Sequence, residues 1–220
     1  RNFPDAGSII LCQFPAPRSE SVMNRLPKIF LILSLPLYVL DQITKWWVVF
    51  RFHEPLASDF HTPDPPVEVI EGFLWWWRIH NQGVAFGMGN GTTWAPIVFL
   101  FVLIAALVII TTFWRKGAFA NAPAKLAAAL LVAGVVGNLT DRLLQGFWLE
   151  QHEEKSFMTR LSKGYVVDFI RVKLPGYERI SPKSGGFFPT FNVADSCISI
   201  AAVLLFVSAF RPEDDKDHGR

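Results

Sequence analysis

The chain has 220 residues, 51% of them hydrophobic and 14% aromatic, and a net charge of +2. So much apolar surface at single-domain length argues against a soluble globule and for a membrane protein. The small charge and the lack of a basic run argue against nucleic acid as a partner. The two cysteines, Cys12 and Cys197, make no disulfide framework.

Residues 1–22 read as an N-terminal extension without order. Its apolar part, SIILC, is too short for a signal peptide, and Met23 is the expected functional start. From there to residue 210 the chain reads as one membrane domain. Four apolar segments stand out, at about 26–50, 94–114, 124–144 and 193–210. Each comes near the roughly 20 residues that cross a bilayer as a helix. Helices are favoured because an open strand leaves its backbone unpaired in lipid. Trp46, Trp47, Trp94, Trp114 and Trp148 fall near the segment ends, as interfacial residues do.

Arg25 and Lys28 stand at the entry to the first segment, and Arg115, Lys116 and Lys125 lie in the short connection of the second to the third. Basic residues stay in the cytoplasm, so both termini are expected there, including the polar tail 211–220. The loops 51–93 and 145–190 are then outside. The second of these is basic itself, and only the number of helices places it. Within the outer loops, 67–79 alternates and then turns aromatic, and GYVVDFIRV at 164–172 reads similarly. The expected fold is mostly α and integral to the membrane, four transmembrane helices with a small extracytoplasmic sheet.

Charges inside apolar segments are costly and mark candidate sites. Asp41 and Lys45 in LDQITKWW are spaced i, i+4; the simpler reading is a structural ion pair with Lys45 reaching to the interface. Asn138, Asp141 and Arg142 in GNLTDR fall at the outer end of the third helix. Asn192 and Asp195 in FNVADS fit an N-cap and the first turn of the fourth. Alone, each aspartate is a capped or paired helix end. Together, Asp141 and Asp195 come out at similar depth on one side. Two carboxyls in such a place can share a proton, activate water and protonate a leaving amine. The histidines show no HExxH or metal spacing, and no G-x-S-x-G is present. The Gly-rich run 81–91, with Gly83, has no phosphate-loop context and suits a close backbone approach. A transporter or proton relay would use the same acids, as would a scaffold without catalysis, but here the polar residues collect at one face.

DQITKWW (41–47), NQGVAFG (81–87), GNLTDR (137–142), VVDFI (166–170) and FPTFNVADS (188–196) stand in an order that resembles lipoprotein signal peptidase, the bacterial type II signal peptidase family. The resemblance spans about residues 23–210. It implies an aspartic endopeptidase of the bacterial inner membrane, with four transmembrane helices, a surface β-cradle and an active site at the outer leaflet. It implies cleavage of diacylglyceryl-modified prolipoproteins just before the lipidated cysteine, no metal or other cofactor, and inhibition by globomycin-type peptides. Membrane lipids are the other partner, and nothing requires more than a monomer. Asp141 and Asp195 would be the catalytic pair, with Asn81, Gly83, Asn138, Arg142 and Asn192 lining the site and Asp41 and Lys45 in support. Helix dipoles would leave Asp195 ionised and Asp141 protonated. The sequence departs from the pattern at 147–163 and 173–186, where extra residues are expected to form a lobe beside the site.

Overall fold

The computed structural model describes residues 28–55, 60–83, 89–92, 94–149 and 153–210. The expected extension 1–22, the tail 211–220 and residues 84–87 of NQGVAFG lie outside them.

The first apolar segment is helical from residue 28 and carries a π turn at Phe30–Ser34 before α1, Leu35–Arg51. Pro36 has no N–H to offer the carbonyl of Ile32, and the helix widens just there. Ser34 uses its hydroxyl across the helix interface, donating to the Ala129 carbonyl at 2.7 Å. β1 (Val67–Ile70) and β2 (Leu74–Asn81) then form an antiparallel hairpin, and β3 (Val166–Val172) adds to β2, giving the order β1-β2-β3. The expected pairing of 67–79 with 164–172 is therefore present.

α2, Ala95–Arg115, exposes Phe101, Val102, Val108, Ile109 and Phe113. An apolar surface of that extent suits lipid rather than water. α3, Ala122–Leu144, is capped by Asn121, whose side chain accepts from the Ala124 N–H at 3.0 Å. Its small residues let neighbours approach: Ala127, Ala128, Ala129 and Ala133 are buried. A Cβ on Gly134 would lie 2.5 Å from the Ala194 carbonyl of α6. α6 runs Val193–Ser208. Close helix approach through small side chains is how helices associate in a bilayer, where no hydrophobic force drives them together.

Two helical stretches, Ala95–Arg115 and Ala122–Phe147, are long and apolar enough to cross a membrane; α6 is apolar but shorter. One core cluster joins α3 to α6 through Ala127, Leu130, Cys197 and Ala201, so Cys197 is a packing residue. A second joins the end of α1 to β3 through Val48, Phe52, Tyr165, Val167 and Phe169.

The stretch expected as a lobe after GNLTDR holds a short helix α4, Phe157–Leu161, begun by Ser156, whose hydroxyl accepts from the Thr159 N–H. Arg160 donates to the Phe147 carbonyl and lies over the Phe147 ring at 5.0 Å. The lobe's two ends meet. A Cβ on Gly146 would strike the Arg160 carbonyl and come within 3.0 Å of the Gly164 nitrogen, and one on Gly164 would strike the Arg142 carbonyl. The longer stretch after β3 contains α5, Tyr177–Ile180, and a 3-10 turn at Pro182–Ser184.

Candidate active site

Four elements converge where α1, the end of α3, β3 and the start of α6 pack together. Lys45 of α1 is fully buried, not extended to the interface. The physical reason is its company: Nζ lies 2.9 Å from Asp41 Oδ2 and 3.0 Å from Asp141 Oδ2, and it donates to Asn138 Oδ1 at 2.9 Å. One ammonium thus faces two carboxylates and an amide, which is how a charge persists away from water. The other oxygen of Asp41 accepts the Ala194 N–H of α6 at 2.8 Å. Gln42 donates to Asp41, to the Gly137 carbonyl and to Asp141 at 3.1–3.3 Å. Gly137 is required in this packing, because a Cβ there would lie 2.6 Å from Asp41 Oδ2.

Asn138 carries the network onward, donating through Nδ2 to Asp195 Oδ1 at 2.8 Å. Asn192 caps α6 as its position predicts. Its side chain accepts the Asp195 N–H at 2.8 Å, while its own N–H donates to Asp195 Oδ2 at 3.3 Å. The same Asn192 donates through Nδ2 to Asp168 Oδ1 at 2.8 Å. Asn81, at the end of β2, donates to Asp168 Oδ2 at 3.0 Å. Asp168 and Asp195 are thereby held by one residue, and both line a cavity of about 960 Å³ together with Asn81, Asn90 and aromatic walls.

Asp141, expected as half of an acid pair with Asp195, is not on the cavity. It is 1% exposed, its Oδ2 is shared between the Lys45 ammonium and the Val167 N–H at 3.0 Å, and its Oδ1 faces Gln42. Its groups are committed to joining α1, α3 and β3. Among the described residues Arg142 pairs with no carboxylate, and it is buried. It donates to the carbonyls of Gln82 at 3.1 Å and Gly83 at 2.6 Å and lies over the Phe99 ring, so it fixes the backbone that follows β2. Gly83 is held further by its own N–H, which donates to Asn81 and Asn90. Every residue expected at the site is therefore in or beside the network, but the acid that faces Asp195 across Asn192 is Asp168.

Asp168 has no role in the reading of the sequence beyond its place in VVDFI. A signal for it exists: side chains alternate along a strand, so Val167 and Phe169 facing the core leave an acid between them on the opposite face. On β2 the same alternation turns Trp77, Ile79 and Asn81 to the cavity and buries Arg78 and His80 behind. Burial pushes the Asp168 carboxyl well above its ordinary range, and the charge of Asp195 pushes it further, against the amide donors of Asn81 and Asn192. Behind the sheet, burial and the neighbouring Arg78 charge hold His80 well below its ordinary range, so it is neutral where it stacks on Tyr165. Among the described residues no cluster of three or more histidine, cysteine or acidic side chains is arranged for a metal ion.

The sequence matches the family described as signal peptidase (SPase) II over residues 33–211. It is 29% identical over 190 residues to a lipoprotein signal peptidase of Listeria welshimeri, covering 86% of this chain and 97% of that one. It is 34% identical over 185 residues to one of Acinetobacter baylyi, covering 83% and 82%. A solved structure described as a bacterial membrane enzyme superposes with a TM-score of 0.61 at 25% identity, over 88% of this chain and 94% of that one. A second, described alike, gives 0.57 at 26%, over 84% and 94%. The chain belongs to the signal peptidase II family, and it is a membrane peptidase that acts on lipoprotein signal peptides.

Proposed function

We propose that Asp168 and Asp195 are the catalytic acids, and that Asp141 with Lys45 and Asp41 forms the buried frame that positions them. The observation that carries this reading is Asn192, which donates from its side chain to Asp168 and from its backbone to Asp195 while both carboxyls face one cavity. Two acids set side by side away from water do not both ionise cheaply, so they can divide the work of a peptidase. Asp168, whose carboxyl is raised well above its ordinary range, is the proton donor. Asp195 is the base, at the first turn of α6, where the helix dipole favours an anion. Asp195 takes a proton from water, the resulting hydroxide adds to the scissile carbonyl, and Asp168 gives its proton to the leaving nitrogen. The dipole of α6 favours the ionised form at Asp195, as its position in the sequence suggests, and Asp168 takes the acid's part in place of Asp141.

The substrate is a diacylglyceryl-modified prolipoprotein, cut before its lipidated cysteine. All four apolar helices cross the inner membrane of a bacterium, with both termini in the cytoplasm and the three-stranded sheet as a cradle at the outer leaflet. Residues 23–210 form this membrane domain, flanked by the extension 1–22 and the tail 211–220. The lipid anchor supplies most of the binding, at about 0.8 kcal/mol per buried methylene, and the protein works as a monomer. Globomycin-type peptides occupy the same cavity.

The test is cleavage of a lipid-modified prolipoprotein in detergent, with products identified by mass. Asp168→Asn and Asp195→Asn should each remove product without lowering the thermal transition of the purified protein. Asp141→Asn should lower that transition and leave measurable cleavage in the protein that stays folded. Full activity in Asp168→Asn, or loss of product without loss of stability in Asp141→Asn, would return the acid role to Asp141.

A further inference from the structure

The cavity has a second end. Arg171 lines it along with Asp168, although the two stand three residues apart on β3 and strict alternation would turn them to opposite faces. The backbone of β3 explains it: the N–H groups of Phe169 and Ile170 both donate to the Phe191 carbonyl, at 3.0 and 2.8 Å, and the pairing with β2 shifts register at the same place, where Trp76 pairs with Ile170 and Ile79 with Asp168. A bulge of this kind re-aims side chains. Beyond it, Arg171 stands opposite Trp75 and reaches the cavity wall.

Two aromatic rings hold it there. The guanidinium carbon lies 4.7 Å from the Trp77 ring centre and 3.9 Å from that of Phe187. Both rings also line the cavity. Ring contacts fix the plane of a guanidinium without using its N–H groups. Among the described residues no carboxylate pairs with Arg171. Lys183, from the long stretch between β3 and α6, lines the same cavity.

We infer that Arg171 is a specificity-determining residue: it receives an acidic side chain of the prolipoprotein close to the scissile bond while Asp168 and Asp195 work on that bond. The inference rests on the proposed placement of the peptide in this cavity. A planar guanidinium with its edge free donates two parallel hydrogen bonds to a carboxylate. Lys183 adds a point charge to the same end. The opposite end, carrying two acids, repels such a side chain, so the charge pattern sets the direction in which the peptide lies.

The test uses lipidated prolipoproteins in which aspartate is placed, one position at a time, at the residues flanking the cysteine, each paired with its asparagine counterpart. At one position the wild-type enzyme should favour aspartate in kcat/KM by about tenfold, ordinary for a partly buried charge pair. Arg171→Gln should bring that ratio close to one, and Arg171→Lys should keep part of it. A ratio that Arg171→Gln leaves unchanged, or the absence of a preference at every position, overturns the inference. So does an Arg171→Gln defect that follows the content of anionic lipid in the micelle and not the charge of the substrate, because the partner is then a phosphate. Retained cleavage in Asp168→Asn would sink the reading of the acid pair instead, whatever the substrate ratio shows.

Discussion

At the residue scale, the ammonium of Lys45 answers to Asp41, Asp141 and Asn138 at once, and Asn138 passes the contact to Asp195. Removing one partner from such a buried set leaves the others uncompensated. Lys45→Met should destabilise the protein by about 3–5 kcal/mol, read as a lower thermal transition in detergent. A change within error would show that the two aspartates find other partners. Asp168 gives a prediction of opposite sign. Its pKa in the folded protein lies above the ordinary carboxyl value of 3.8, so the folded state holds the proton more tightly than the unfolded chain. Its contribution to stability is therefore largest at low pH and declines as pH rises from the ordinary value towards the raised one. Asp168→Asn removes that decline. The variant should melt higher than wild type at neutral pH, and the difference should vanish in acid, while cleavage is lost. A constant difference across pH would show that the carboxyl is not perturbed. The polar residues of GNLTDR, FNVADS and LDQITKWW were legible as a site because charge in an apolar run needs a reason. Which acids line the cavity was not legible, since that depends on Val167 and Lys45 arriving at Asp141 from two other elements.

Among the elements, α6 depends most on one side chain. Asn192 closes a capping box with Asp195 and also reaches Asp168. Asn192→Ala should cost about 1 kcal/mol from the lost cap alone, and it should release both acids. Faster amide exchange in the first turn of α6, together with lost cleavage, is the expected result; normal exchange with lost cleavage would assign Asn192 to the site without the cap. The apolar segments mark α2, α3 and α6 closely, and the first takes in the π turn together with α1, because apolar length carries that information. The strands were legible from alternation. The register shift between β2 and β3 was not, as it is a property of the pairing and not of either stretch alone. The π turn before α1 had a local cause in Pro36 that the apolar run conceals.

For the molecule as a whole, the stretch 147–163 has a buried root, with Leu149 in the core beside Val48 and Phe169, and an exposed tip. Glu153, Glu154 and Lys155 are exposed on it, away from the cavity. A short epitope inserted after Glu154 should leave the thermal transition and cleavage within about twofold of the parent, as exposed loop tips tolerate. A large loss would show that the lobe touches substrate. The reason for expecting tolerance is the meeting of Gly146 with Gly164, where two backbones lie too close for any side chain. Whatever is spliced between those glycines begins and finishes at one point on the end of α3. A reporter placed at the exposed tip would thus ride on the enzyme without altering the geometry of its acids, provided that Leu149 is kept in the core beneath β3.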